Sequence, residues 1–390
     1  MNPILQCLTH IDSLVDYFKY DPQIEEVSQN HQNLTSSFKT LVDNLYPNNL
    51  STNRYAPNDF KEKISVMNPL FEGITANDAK DLVNFIIMTL HKELNKKDEI
   101  PDKDNALPQN PSNKEQSYLF FENEILRDHK SIISDLFYGI NRNETQCCFC
   151  NGRIYNYQTY FFIKFPLEEV LQYKSQKMNQ MNLNMSHQMN QMNFNMNHPM
   201  NQMNFNMNQS MNQMNLNMNH PMNQMNFNMM YPMNQYNSNE VDIMDCFENK
   251  EKITTTLVGE NSKFCNYCKQ NAHLNMRTVL VTGPEELILI LSRGKGKESD
   301  IKLIFTENLN LESFIEKKET GYKYKLTGVI THLGESIMSN HFIAFCKDHV
   351  NKKWYKYNDS EIDEVEDIEE EVIDNSNIVP YLLFYHKLSQ

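Results

Sequence analysis

Apolar residues recur at three- and four-residue steps in the first part of the chain and at every second position in its last part. In "MNPILQCLTHIDSLVDYFKY" the positions Ile4, Leu8, Ile11, Val15 and Phe18 form one stripe. That spacing predicts an amphipathic helix with Asn2 as its N-cap and Pro3 in its first turn. "ANDAKDLVNFIIMTLHKELNKK" repeats the pattern with Leu82, Phe85, Ile86, Leu90 and Leu94, and Asn77 or Asp78 stands near its start. Residues 102–117 are polar and contain proline, which predicts a loop, and a second helical stretch follows around Ile125 to Phe137. Beyond Cys150 the period shortens to that of strands, in "YNYQTYFFIKFPL", "HLNMRTVLVTG", "ELILILS", "YKYKLTGVITHL", "HFIAFCK", "KWYKYND" and "VPYLLFYHKL". Helices first and an antiparallel sheet later define an α+β chain.

One segment follows neither period. From Met178 to Pro232 the chain runs through five units of eleven residues, MNQMNLNMSHQ to MNQMNFNMMYP, and 17 of its 23 methionines lie between Met178 and Met233. An eleven-residue apolar period suits a right-handed supercoil, but asparagine forms helices poorly and no charges set a register. The composition reads as a disordered insert over 175–239, placed between the first strand and a short acidic helix at 240–251; soft-metal binding by its thioethers is the weaker alternative. Without it about 325 residues remain, which fits one multi-lobed domain.

Charge narrows the function classes. The formal net charge is -14, with acids densest in "SEIDEVEDIEEEVIDNS". A nucleic-acid binder needs a basic face, so no nucleic-acid partner is expected. The acidic run reads first as a solvated surface and second as a face for a basic partner. No stretch approaches the roughly 18 apolar residues of a membrane span, and the start of the chain lacks a signal-peptide pattern. The expectation is therefore no membrane and an intracellular location, cytoplasmic or nuclear. In that reducing setting the eight cysteines point to metal or catalysis rather than to disulfides.

Two Cys-x-x-Cys pairs, Cys147 with Cys150 and Cys265 with Cys268, can each form a knuckle and together supply four thiolates to a structural Zn2+. Cys148 is an alternative to Cys147. The distance between the pairs means that the metal staples two remote hairpins, with the insert looping out between them. Near the C-terminus His341 opens one apolar strand and Trp354–Tyr357 forms the next. Pairing Lys347 with Lys352 sets His341 opposite Asn358. An imidazole beside a side-chain amide or carboxylate is the orienting half of a nucleophilic triad, although a histidine at a strand start is more often structural.

The surrounding residues closely resemble the histidine box of the ubiquitin-specific proteases, papain-like cysteine peptidases that cleave ubiquitin from its conjugates. The residues that carry the likeness are Gly328, Val329, His332 and Gly334; Ser339, Asn340, His341 and Phe342; Trp354, Tyr355 and Tyr357; Asn358, Asp359 and Ser360; and "YLLFYHKL". Asn340 stands where the family has glycine. "NDAKDLVNFIIMTLHKEL" is similar to the family's thumb helix, "DLFYGI" with "TQCCFC" and "DCFENKE" with "FCNYC" to its zinc-binding fingers, and "GPEELILILSRG" to the strand entering the palm. The resemblance implies a single catalytic domain over 1–390. Its parts are a helical thumb (1–140), fingers and palm strands (141–174 and 240–290), and an antiparallel β palm (291–390). It implies that His341 is the general base, that Asn358 orients it with Asp359 assisting, and that the partner is ubiquitin or a ubiquitin conjugate.

The family's cysteine box reads Gly-Asn-Thr-Cys-Tyr-Met-Asn-Ser-x-Leu-Gln-x-Leu. Met1, Asn2, Pro3, Leu5, Gln6 and Leu8 match its tail, with proline in place of serine. The resemblance thus places the nucleophilic cysteine two residues ahead of Met1, where a helix N-terminus favours a thiolate, and the oxyanion asparagine further upstream. Neither is in the chain. Cys346 lies five residues from His341 on one strand, so the two point to opposite faces; Cys7 lies two turns into the helix and Cys246 falls in the fingers. Two readings follow: a deubiquitinating cysteine peptidase cut short at an internal methionine, or an inactive ubiquitin-binding relic of one. A third is a zinc-stapled interaction protein unrelated to ubiquitin. For the insert, deleting 175–239 across a short linker is expected to leave the thermal transition nearly unchanged, because closing a longer loop costs little extra entropy. A loss above about 2 kcal/mol would show that it packs.

Overall fold

Leu287, Ile288, Leu289, Ile290 and Leu291 form an unbroken apolar run, and each is 1 % exposed or less. A strand of that composition needs cover on both faces, and the fold supplies it. The computed structural model describes residues 1–46, 55–73, 78–96, 112–124, 126–184, 239–257, 263–293, 301–317, 321–333, 341–348, 350–375 and 378–388. Among the described residues α-helices come first: α1 (Asn2–Thr9), α2 (Asp12–Tyr20), α3 (Pro22–Val27), α4 (Leu34–Leu45), α5 (Asn58–Met67), α6 (Ala79–Leu94), α7 (Lys114–Glu124) and α8 (Ile132–Phe137). Next are β1 (Gly139–Cys147), β2 (Arg153–Tyr160) and β3 (Ile163–Pro166), then α9 (167–184), β4 (Glu240–Asp242) and α10 (Ile243–Lys252). β5 (Thr255–Leu257), β6 (Lys263–Cys265), β7 (Gln270–Ala272), β8 (Leu274–Thr282) and β9 (Glu286–Ser292) follow. The chain then passes through β10 (Lys302–Ile304), β11 (Asn308–Asn310), β12 (Lys323–Leu333), β13 (His341–Lys347), β14 (Trp354–Asn358), β15 (Glu361–Val365), α11 (Ile368–Ile373) and β16 (Ile378–Lys387).

The main sheet has the order β15-β14-β13-β12-β16-β9-β3, with β11 added to β12. All its pairings are antiparallel except β3 with β9. Period-two alternation divides its residues between two cores. Ile288, Ile290, Ile330, Ala344, Cys346, Leu382 and Phe384 face the helical cluster of α1 to α6 and α8. Leu287, Leu289, Leu291, Val329, Ile343, Phe345, Leu383 and Tyr385 face a second cluster with Phe247, Ile368 and Val372 from α10 and α11. A separate sheet, β2-β1-β8-β5, projects with the β6–β7 hairpin. Inside it Arg142 is 3 % exposed and pairs with Glu144 at 2.6 Å and with Glu316. Burial works against ionisation of Glu144, but hydrogen bonds from Arg277 and Arg142 outweigh it and hold that carboxyl below its usual range. Among the described residues no helix is long and apolar enough to cross a membrane.

The α+β class and the antiparallel sheet agree with expectation; several boundaries do not. The N-terminal stripe is two helices, broken at Ile11, whose backbone is extended at φ -91 and ψ 102. Thr9 Oγ1 donates to Leu5 O at 2.8 Å, and Tyr46 Oη donates to Thr9 O at 2.5 Å, which draws off carbonyls at the end of α1. The N-cap of α1 is Met1, not Asn2, which is already the first helical residue, and no side chain caps the end. Residues 114–117, predicted as loop, begin α7, where the Asn113 side chain accepts from the N–H groups of Glu115 and Gln116. β1 precedes the first cysteine pair, and a short strand β4 precedes the acidic helix, which is α10. Glu361–Val365 of the acidic run is the edge strand β15, and Asp367 caps α11. Residues 175–184, assigned by composition to the insert, extend α9, whose Lys174 and Lys177 pair with Asp245 and Glu248 of α10. The insert deletion accordingly starts at residue 185, and residues 185–238 lie outside the described part.

Candidate active site and metal centre

α1 rests directly on β12 and β13. Ile4, Leu5, Cys7 and Leu8 are buried under it, and Gly328 on β12 has no Cβ because one would stand 3.2 Å from Cys7 Sγ. β13 and β14 pair Lys347 with Trp354 and Ala344 with Tyr357. The predicted register joined Lys347 to Lys352 and is off by two residues, because the connecting loop is longer than a four-residue turn. In it the Asp348 N–H donates to Lys353 O at 2.8 Å, and the Asp348 carboxylate accepts from the N–H groups of Val350 and Asn351. An even slip leaves every side chain on its predicted face. His341 and Asn358 thus become diagonal neighbours and still meet: His341 Nε2 lies 2.6 Å from Asn358 Oδ1.

An amide oxygen only accepts, so Nε2 carries the proton and donates, which leaves the Nδ1 lone pair as the basic site. Asp359 follows at the hairpin turn in the left-handed region, φ 52, a conformation aspartate tolerates. Its Oδ1 accepts a 2.8 Å hydrogen bond from Asn2 Nδ2 across 357 residues of chain. The strand end that carries Asn358 is thereby tied to the head of α1. No local pattern in the sequence signals the Asn2–Asp359 contact, since each partner is an ordinary polar residue at an element end. His332 is 9 % exposed and packs edge-on against Phe342 with ring centroids 5.2 Å apart; burial, then the nearby His341, lower its pKa. Gly334, Ser339 and Asn340 lie outside the described residues. Of the other cysteines weighed for catalysis, Cys7 and Cys346 are buried in the core and Cys246 is buried in α10.

The four predicted ligands come together. Cys147, Cys150, Cys265 and Cys268 hold their sulfurs within 4.8 Å of one another, with Cys147–Cys268 at 3.9 Å and Cys150–Cys265 at 3.7 Å. Zinc–sulfur bonds of about 2.3 Å in a tetrahedron put sulfurs about 3.8 Å apart, so the donor set fits zinc in type and spacing. Cys148 is exposed and outside the cluster, which settles the choice in favour of Cys147. Each knuckle closes on a left-handed residue, Asn151 at φ 57 and Lys269 at φ 58. Asn151 N–H donates to Cys147 O and Lys269 N–H to Cys265 O, at 3.0 and 2.9 Å. Gly152 is required because a Cβ there would meet the Tyr267 ring at 2.6 Å. The Cys268 N–H, with burial opposing and the Tyr267 N–H assisting, pulls the Cys265 thiol down, toward the thiolate a metal takes.

A main sheet that presents a histidine–amide pair to a helix head, with four-thiolate fingers projecting from it, is the architecture of the papain-like ubiquitin hydrolases. The family described as "Ubiquitin carboxyl-terminal hydrolase" matches residues 1–385, and the chain belongs to it. Ubiquitin carboxyl-terminal hydrolase 2 of Bos taurus is 23 % identical over 407 residues, covering 100 % of this chain and 53 % of that protein. Ubiquitin carboxyl-terminal hydrolase 12 of Saccharomyces cerevisiae is 29 % identical over 182 residues, covering 43 % of this chain and 14 % of that protein. The chain therefore spans about half the length of the first relative and less of the second. A solved SAGA DUB module containing Ubp8, Sgf11, Sus1 and Sgf73, bound to monoubiquitin, shares the fold. Its TM-score is 0.62 at 17 % identity, covering 100 % of this chain and 66 % of that one.

Purified protein is expected to carry about one zinc per chain. Cys150→Ser and Cys265→Ser should lose the metal and unfold at lower temperature, whereas Cys148→Ser should keep it. Metal content far below stoichiometric in the unaltered protein would contradict the assignment.

Proposed function

We propose that the chain forms the catalytic scaffold of a thiol-dependent hydrolase acting on ubiquitin conjugates, with His341 as general base and Asn358 as its orienting partner. The observation that carries the reading is the 2.6 Å contact between His341 Nε2 and Asn358 Oδ1, on a strand end tied to the head of α1 through Asp359 and Asn2. Residues 1–140 would serve as thumb, 141–174 and 240–290 as fingers and palm strands, and 291–390 as palm. The four-thiolate site staples the fingers and takes no part in the chemistry. A reducing intracellular compartment, cytoplasm or nucleus, belongs to the same reading.

In this mechanism a thiol at the head of α1 gives its proton to His341 Nδ1, and the positive end of the helix stabilises the thiolate. The thiolate adds to the carbonyl of ubiquitin's terminal glycine, the imidazolium protonates the leaving amine, and water then hydrolyses the thioester. Asn358 fixes the tautomer of the neutral ring and holds the ring in place when it is charged, as the buried carboxylate does in a serine triad. The thiol is the part that none of the chain's own cysteines supplies, since Cys7 lies in the second turn of α1, packed against Cys346.

The chain as given is expected to bind ubiquitin and leave ubiquitin conjugates uncut. The same chain carrying Asn-Thr-Cys-Tyr ahead of Met1 should hydrolyse them. In the extended protein His341→Ala should lower kcat by roughly 10³-fold or more, and Asn358→Ala by less. Turnover by the unextended chain would show that the nucleophile has been misplaced. Absence of ubiquitin binding in both forms would overturn the reading as a whole.

A further inference from the structure

Two cysteines that serve neither site meet in the core. Cys7 on the inner face of α1 and Cys346 on β13 bring their sulfurs to 3.7 Å, at 3 % and 0 % exposure. Both are free thiols. Cysteine is a common small core residue, so burial alone says little about either. The third member of the group, His10, changes that. Its Nδ1 lies 2.7 Å from Gln6 O and so donates to it, and its Nε2 lies 3.0 Å from Tyr357 Oη. Burial opposes a charge on His10, yet the electrostatic influence of Cys346 raises the imidazole to about 9. Burial also opposes a thiolate at Cys346, but the hydrogen bond from Cys7 and the charge of His10 outweigh it and draw that thiol down. Burial pushes Cys7 up. One sulfur is thus disposed to act as nucleophile, while its neighbour keeps its proton.

We propose that Cys7 and Cys346 are a redox modification site, an internal dithiol that hydrogen peroxide converts to a disulfide fastening α1 to β13. The Cys346 sulfur attacks one peroxide oxygen; the S–O bond forms as the O–O bond breaks, and the departing hydroxide takes the His10 proton and leaves as water. The Cys7 sulfur then attacks the sulfenic sulfur of Cys346; the S–S bond forms, the S–O bond breaks, and a second water leaves with the Cys7 proton. Two thiols lose two electrons and the peroxide becomes two waters. The sulfurs must close from 3.7 Å to about 2.05 Å. The bond would join two elements 339 positions apart in sequence and restrict the unfolded chain accordingly.

The test uses the full, metal-loaded chain exposed to hydrogen peroxide, quenched with an alkylating agent and mapped as peptides without reduction. Exposed Cys148 reports that peroxide has acted. The expected result is a Cys7–Cys346 cross-link, together with a thermal midpoint several degrees higher that reverts on treatment with dithiothreitol. Cys7→Ser should leave Cys346 as a sulfenic acid trapped by dimedone, whereas Cys346→Ser should leave Cys7 a thiol. Recovery of both as alkylated thiols once Cys148 is oxidised would overturn the proposal, and trapping at Cys7 instead of Cys346 would overturn the order of attack. Peptide mapping of the unaltered chain decides the cross-link even where a variant fails to fold. None of these readouts depends on hydrolytic activity.

Discussion

The packing of α1 against β12 and β13 is the contact on which the geometry of the site rests. Ile4, Leu5, Cys7 and Leu8 are buried there, the isoleucine and each leucine contributing roughly 1.5–3 kcal/mol on burial, and a Cβ on Gly328 would crowd Cys7 Sγ at 3.2 Å. With the helix body seated, its head falls beside the β14–β15 turn, and Asn2 reaches Asp359. Of the strands that floor the helix, β13 carries His341 at its start, and its neighbour β14 carries Asn358 at its end. Apolar contact brings the two halves of the site together, and one amide–carboxylate hydrogen bond aligns them.

The fingers are organised on a different principle. Among the described residues their sheet has two small apolar clusters, Phe121 with Ile140, Tyr157 and Val281, and Leu274 with Ala272 beside the cysteines, so cohesion depends on paired charge and on sulfur. Arg142, Glu144 and Arg277 satisfy one another inside the sheet. At the tip four thiolates close hairpins that lie 115 and 121 positions apart. A metal that needs four sulfurs in one tetrahedron sets that distant register with little help from a core.

Much of this was legible because its signals are local. "ELILILS" reads as a strand, and the two Cys-x-x-Cys pairs announce both their chemistry and their geometry. The His341–Asn358 pairing emerged from strand parity even though the register was off by two, since parity survives an even slip. What escaped depends on contacts between remote parts of the chain. Neither the break at Ile11 nor the extension of α9 into the methionine repeat has a local marker. The first follows from Tyr46 claiming the Thr9 carbonyl, and the second is accompanied by two lysines that meet acids on α10. The Asn2–Asp359 bond and the Cys7–Cys346 contact are likewise visible only once α1 is seated on the sheet.

The central claim is that Asn358 holds His341 with its proton on Nε2, leaving the Nδ1 lone pair as the basic site. Nitrogen-15 NMR of the histidine side chains reads this directly at a pH where the imidazole is neutral. The account predicts the Nε2-protonated tautomer for His341, with that preference lost in Asn358→Ala. A neutral His341 protonated on Nδ1 in the unaltered chain would contradict it.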